Sequence, residues 1–195
     1  MPFPLKPGYS LQYRPRLLME FPEHAARIGL ISAEWTALEN ELAHTVAFSL
    51  FAFSSSERGA QKITTTVLGA IDSLAARLDM IEAILKPRIP EDWYLRFVND
   101  IKPELRRRAR ERNRIVHGHW QACSKYPKDL ILGTFDEDPM RYTTNCLDDI
   151  ADRINQTLNS VATYLMNLQQ IVGPTLPPFP LLSSPPPKDT PPQSD

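Results

Sequence analysis

The chain has 195 residues, 22 basic against 23 acidic, with 42% hydrophobic and 23% charged residues. Such numbers suit one globular domain with a sizeable core. The formal net charge of −1 excludes a protein-wide polycation built for nucleic acid, so any basic surface has to be local. Two cysteines, Cys123 and Cys146, are too few for a disulfide framework or a four-ligand zinc site. The start, "MPFPLKPGYSLQYRPR", lacks the apolar stretch of a signal peptide, and no apolar run reaches ~18 residues. The expectation is a cytoplasmic protein in a reducing compartment, with no membrane association.

Residues 1–22 are dotted with proline and carry no period, and they read as an extended N-terminal arm. Pro22 sits where a helix can begin, because its missing N–H costs little in the first turn. Four helices are then predicted. The first, 23–53, carries Ile28, Ile31, Trp35, Leu38, Leu42, Val46, Ser49 and Phe53 at alternating spacings of three and four. "SSSERG" breaks it, and Ser56 is a plausible N-cap for the next. The second, 60–86, carries Ile63, Val67, Ile71, Leu74, Leu78, Ile81 and Leu85, and ends in "KPRIPEDW". The third, 91–117, presents Trp93, Phe97, Ile101, Leu105 and Ala109 inward, with Pro103 marking a kink or the first turn of a new segment. Gly118 is placed to end it. "WQACSKYPKDLILGTF" and "MRYTT", separated by "DEDP", read as two or three short strands or a loose hairpin. The last helix, 146–172, carries Ile150, Ile154, Leu158, Val161, Leu165, Leu168 and Val172, and Gly173–Pro174 stops it. From Pro174 to Asp195 nine of 22 residues are proline, a disordered or polyproline tail that is inert or offers a ligand for an aromatic groove. The predicted fold class is therefore all-α: an antiparallel helical bundle of four long helices at 23–173, with a hairpin-like insertion before the last.

Chemistry concentrates in "ERNRIVHGHW", Glu111 to Trp120. Asn113 and His117 are four apart and share a helix face, since each residue advances by ~100°. Arg112 and His117 are five apart and do not stack in an ideal helix. Only the reach of the arginine or a loosened last turn brings them together. Histidine transfers protons in both directions near neutral pH. A guanidinium fork suits a phosphate or a developing phosphorane. Arginine plus histidine without a metal motif fits metal-free cleavage of RNA, with the 2′-hydroxyl as internal nucleophile. Six arginines between Arg106 and Arg114 equally read as a solvated face at a helix end whose dipole favours cations. Of these, Arg108, Arg110 and Arg114 are candidate RNA contacts. Trp120 either stacks on a base or packs back onto the helices. Glu39, at the edge of the first helix's apolar stripe, either orients a site residue or makes a structural ion pair. His119 is either a second proton carrier or a solvent-facing residue. His117 and His119 lack a third ligand, so no metal site is expected, and no cofactor. His24 and His44 stand outside any constellation and read as structural.

"RNRIVHG" resembles the signature of HEPN domains, an all-helical superfamily of prokaryotic toxins and RNA-processing enzymes, with Arg112, Asn113 and His117 at the matching positions. "HGHW", and "WTALENEL" on the first helix, are similar to stretches found in small bacterial members. The resemblance covers 23–172; the insertion after Trp120 is not a general family feature. It implies a metal-independent endoribonuclease, in toxin–antitoxin or phage-defence settings, acting as a homodimer with two motifs facing each other. His117 would act as general base or acid, Arg112 would stabilise phosphate charge, and Asn113 would orient His117 or the phosphate. Implied partners are RNA, a second copy, and an antitoxin or other protein. The alternative is a HEPN-type module that binds RNA or protein without cleaving, because a fold does not fix a function.

Overall fold

The computed structural model describes residues 2–5, 8, 10–51, 64, 66–133 and 138–172, with side chains excluded at 48–51 and 172. Its elements are β1 (Phe3–Pro4), β2 (Leu11–Gln12), α1 (Leu17–Glu20), α2 (Pro22–Phe51), α3 (Leu74–Leu85), α4 (Glu91–Arg96), a π-helical turn (Phe97–Ile101), α5 (Lys102–His117), β3 (His119–Cys123), β4 (Leu130–Gly133), β5 (Met140–Tyr142) and α6 (Thr144–Val172). The positions Phe53, Ser56, Ile63, Gly173 and Pro174, the side chains of Ser49 and Val172, and the tail 174–195 lie outside the described residues.

The two long helices form the spine. α2 begins at Pro22, as the sequence anticipates. α6 is capped by Thr143, whose Oγ1 accepts the Cys146 N–H at 3.2 Å. Ile31, Leu38, Leu42 and Val46 of α2 share one buried cluster with Ile150, Ile154, Val161 and Leu168 of α6. Side chains spell out their direction. Arg27 Nε donates to Asp148 Oδ1 at 2.9 Å, and Asn155 Nδ2 donates to Glu34 Oε2 at 3.0 Å. Each pair is separated by 121 residues, so the contact advances together along both helices. α2 and α6 are therefore parallel, which corrects the expected antiparallel arrangement. The long chain between them allows a return that a short link would forbid.

The all-α expectation is also overturned. Five strands form one antiparallel sheet in the order β1-β5-β4-β3-β2, so the protein is mixed, helices packed on a sheet. The 120–145 region supplies the meander β3-β4-β5, where strands were expected. The N-terminal arm supplies both edges: Phe3 pairs with Arg141 on one side, and Leu11 with Cys123 on the other. The arm thus pairs with the sheet at both of its edges. Two-residue strands carry no alternation that a sequence pattern can detect. The register divides the sheet into two faces. Trp120, Leu132 and Met140 line up toward the helices, as do Leu130 and Tyr142. Gln121, Ile131, Arg141 and Phe3 line the other face, where the Arg141 guanidinium lies 4.8 Å from the Phe3 ring centroid and 4.5 Å from that of Tyr126. With both faces covered, every residue of β4 is buried.

The second predicted helix is interrupted: residues 64 and 66–69 are helical, residues 70–73, Ile71 among them, are not, and α3 then starts at Leu74 with Ser73 accepting the Ala76 N–H as its cap. The predicted third helix runs on through Pro103, with a π-helical turn in its path. Trp93, Phe97, Ile101, Leu105 and Ala109 recur strictly every four residues, a stripe that drifts by ~40° per step on an α-helix. One wider turn resets it. That turn also receives Pro103, which has no N–H to donate and whose ring would crowd an α-helical carbonyl four residues back. Beside it, Lys102 Nζ donates to Asp79 at 2.7 Å and to Glu82, which also accepts from Tyr94 Oη at 2.9 Å. Burial opposes the charge on Lys102, but the two carboxylates outweigh it and raise its pKa. The hydrogen bond from Lys102 in turn lowers both Asp79 and Glu82.

Candidate nucleic-acid site at the end of α5

The site forms where α5 hands over to β3. Gly118 links them with φ −76° and ψ 159°, an extended backbone and not the left-handed turn expected of a helix-ending glycine. Its role is steric. A Cβ there would lie 2.3 Å from Leu132 Cδ1 and 2.4 Å from the Arg114 carbonyl oxygen. No side chain fits, so the chain leaves the helix pressed against β4. Trp120 fixes the junction from below: its indole N–H donates to the Ile115 carbonyl at 3.1 Å, one of the acceptors a helix end leaves open. Its ring meets Tyr142 edge-on at 5.4 Å.

On this rigid turn Arg112, Asn113 and His117 come together within one chain. Arg112 Nη1 donates to Asn113 Oδ1 at 3.0 Å and to His117 Nε2 at 3.1 Å. The arginine's reach closes the five-residue gap that helix geometry leaves open. A guanidinium has no acceptor, so in this contact His117 Nε2 is the acceptor. His117 and Asn113 are exposed, and Arg112 is half-buried with its Nε lacking a partner.

The remaining candidates divide. Arg110 and Arg114 are exposed, and the Arg114 guanidinium is tethered to the Tyr142 hydroxyl. Burial raises the Tyr142 pKa, against the lowering effect of Arg114. Arg108 is only 2% exposed. Its Nε donates to Glu104 at 2.7 Å and its Nη1 to Glu111, so the structure withdraws it from the RNA-contact set. Trp120 is likewise buried and is not a stacking platform. Glu39 pairs with Arg77 at 2.8 Å, which makes it the structural ion pair rather than a support for His117. His119 opens β3, exposed and opposite Gly133. His24 is buried, with Nε2 3.2 Å from the Tyr142 carbonyl, and burial lowers its pKa. His44 Nδ1 lies 3.1 Å from Glu41, local to α2.

Glu111 is a residue the sequence reading passed over. It accepts from Arg108 on its own helix and from Arg153 of α6 at 2.7 Å, one position before Arg112. The signal was present, since Glu104, Arg108 and Glu111 sit at spacings of four and three, where helix neighbours meet. The partner on α6 had no signal at all. Among the described residues, no helix is long and apolar enough to cross a membrane. No family model matches the chain, and neither does any curated protein or solved structure.

Proposed function

We propose that the protein is a metal-independent endoribonuclease of HEPN type, acting in a cytoplasmic toxin or defence role. The observation that carries the reading is the 3.1 Å contact between Arg112 Nη1 and His117 Nε2, with Asn113 on the same guanidinium. The resemblance assigns these three residues to one site, and in this chain they touch despite an unfavourable spacing. The presence of a sheet departs from the all-helical family, so the reading rests on the site and not on the fold.

In this mechanism a scissile phosphate takes the place of His117 on the Arg112 guanidinium. The freed Nε2 accepts the proton of the 2′-hydroxyl. The 2′-oxygen attacks phosphorus, the bond to the 5′-oxygen breaks, and the products are a 2′,3′-cyclic phosphate and a 5′-hydroxyl. Arg112 offsets the charge that builds on the phosphate, and its fork geometry suits that task better than an ammonium. Arg110 and Arg114 hold neighbouring phosphates. The leaving oxygen needs a proton from a second donor: His119, two residues on, or His117 of a second copy in a homodimer.

The test is incubation of the purified protein with mixed RNA in EDTA, followed by end-group analysis. Cleavage with 2′,3′-cyclic ends is expected. Cleavage that requires added magnesium, or that leaves 3′-hydroxyl ends, overturns the mechanism. Light scattering is expected to give a dimer, and a monomer with intact cleavage removes the shared-site version.

A further inference from the structure

The sheet directs a second exposed segment towards the start of β3, the strand that follows this site. β2 runs antiparallel to β3, with Leu11 opposite Cys123 and Gln12 opposite Ala122. Beyond Gln12 the chain therefore heads towards the start of β3, where His119 follows the α5 terminus. The segment Tyr13–Arg16 is held at both ends, by the β2–β3 ladder before it and by α1 packed on β3 after it, with Leu17 buried. All four of its residues are exposed. Tyr13 is 71% exposed, a bare aromatic ring on an ordered stretch. Arg14 is occupied by Glu20 at 3.2 Å, whereas the Arg16 guanidinium meets no acidic group among the described residues. Arg16 also adopts φ 61°, the left-handed conformation a non-glycine residue rarely takes, at the turn into α1.

We infer that Tyr13 and Arg16 form a subsite for a single-stranded RNA, Tyr13 stacking on an unpaired base next to the scissile phosphate and Arg16 contacting the adjoining backbone. The inference rests on the ribonuclease reading. A phosphate-binding arginine and histidine need something to place the flanking nucleotide. Trp120, one candidate for that role, faces inward. Tyr13 is an exposed ring just beyond β2, the strand paired alongside β3, and every base has a face on which it can stack. Stacking requires an unpaired base, so the substrate is single-stranded and recognition is tolerant of sequence.

The test uses the full chain and two readouts, cleavage kinetics and equilibrium binding of labelled single-stranded RNA. Tyr13→Ala should raise KM and weaken binding by ~5- to 160-fold, the range of one stacked base, with kcat changed by less than about twofold. Tyr13→Phe should restore both, because the ring is kept. An oligonucleotide with one abasic nucleotide beside the cleavage point should bind as weakly as the Tyr13→Ala protein binds the intact strand. The two changes together should add nothing further. Arg16→Ala should flatten the salt dependence of binding by ~0.7 in log–log slope, one phosphate contact on a single strand. Unchanged KM and binding in Tyr13→Ala overturn the subsite while leaving the ribonuclease standing. Binding that depends on Tyr13 without any cleavage overturns the ribonuclease and leaves the subsite. Absence of single-strand binding by the wild type overturns the subsite outright.

Discussion

The two halves of α5 share an arginine-rich composition and have opposite fates. In the first half, Arg106, Arg107 and Arg108 are each paired with a carboxylate: Asp79 at 3.1 Å, Glu104 at 2.7 Å, and Glu104 with Glu111. In the second, Arg110 and Arg112 meet no carboxylate within ion-pair distance among the described residues; Arg112 meets Asn113 and His117, and the Arg114 guanidinium reaches the Tyr142 hydroxyl. An arginine surrounded by acids holds helices together. An arginine surrounded by neutral acceptors is available to an anion that arrives later. Density of charge does not separate the two; the partners do.

The comparison is broken most severely at His117. His117→Ala should lower RNA cleavage by ~10²–10⁴-fold, as loss of a general acid–base typically does, while leaving helix content unchanged. Wild-type rates in that variant remove histidine from the mechanism. A sharper form sets Arg108 against Arg112. Arg108→Ala should destabilise the fold by about 3 kcal/mol, the low end for breaking a buried pair, because Glu104 and Glu111 each keep another arginine. Arg112→Ala should cost stability only about 0.5 kcal/mol, as a surface change does, yet reduce cleavage by ~10²-fold or more. Urea melts and kinetics on both proteins decide it, and matching profiles for the two would erase the distinction between the halves.

Gly118→Ala tests the junction that carries the second half. The added methyl meets a backbone oxygen, which cannot rotate away, so a loss of about 1–3 kcal/mol is expected, with reduced cleavage as His117 shifts. The smallest effect is a pH dependence. The folded pKa of His24 lies below its ordinary 6.5 because it is buried. Between those two values the unfolded chain binds more protons, so stability is full above about pH 6.5 and declines as pH falls toward the folded value. The urea midpoint should therefore drop between pH 7.5 and 5.5, and His24→Gln should remove that part of the drop.

The long helices were legible because their apolar stripes are regular, and the helix end at Gly118 because glycine and a change of period coincide there. The parallel pairing of α2 with α6 was not, since Arg27 and Asp148 carry no mark of each other. Nor were β1 and β2, whose hydrogen bonds belong to the backbone and leave no trace in side-chain type. At the site, spacing alone argued against Arg112 and His117 meeting. What spacing omits is the length of an arginine, enough to span the gap.

The arm that closes both edges of the sheet is made before the strands it pairs with. Phe3 waits for Arg141, and Leu11 waits for Cys123. On a ribosome, the β2 edge stays open until Cys123 has been made and the β1 edge until Arg141, and α6, which covers the apolar face of α2, follows later still. Such distant pairings form slowly and leave strand edges open in the meantime. Synthesis rate and chaperone supply should therefore govern the yield of folded protein more than its final stability does. A bulky fusion ahead of Phe3 would act on assembly, by hindering a strand that is made early and docks late.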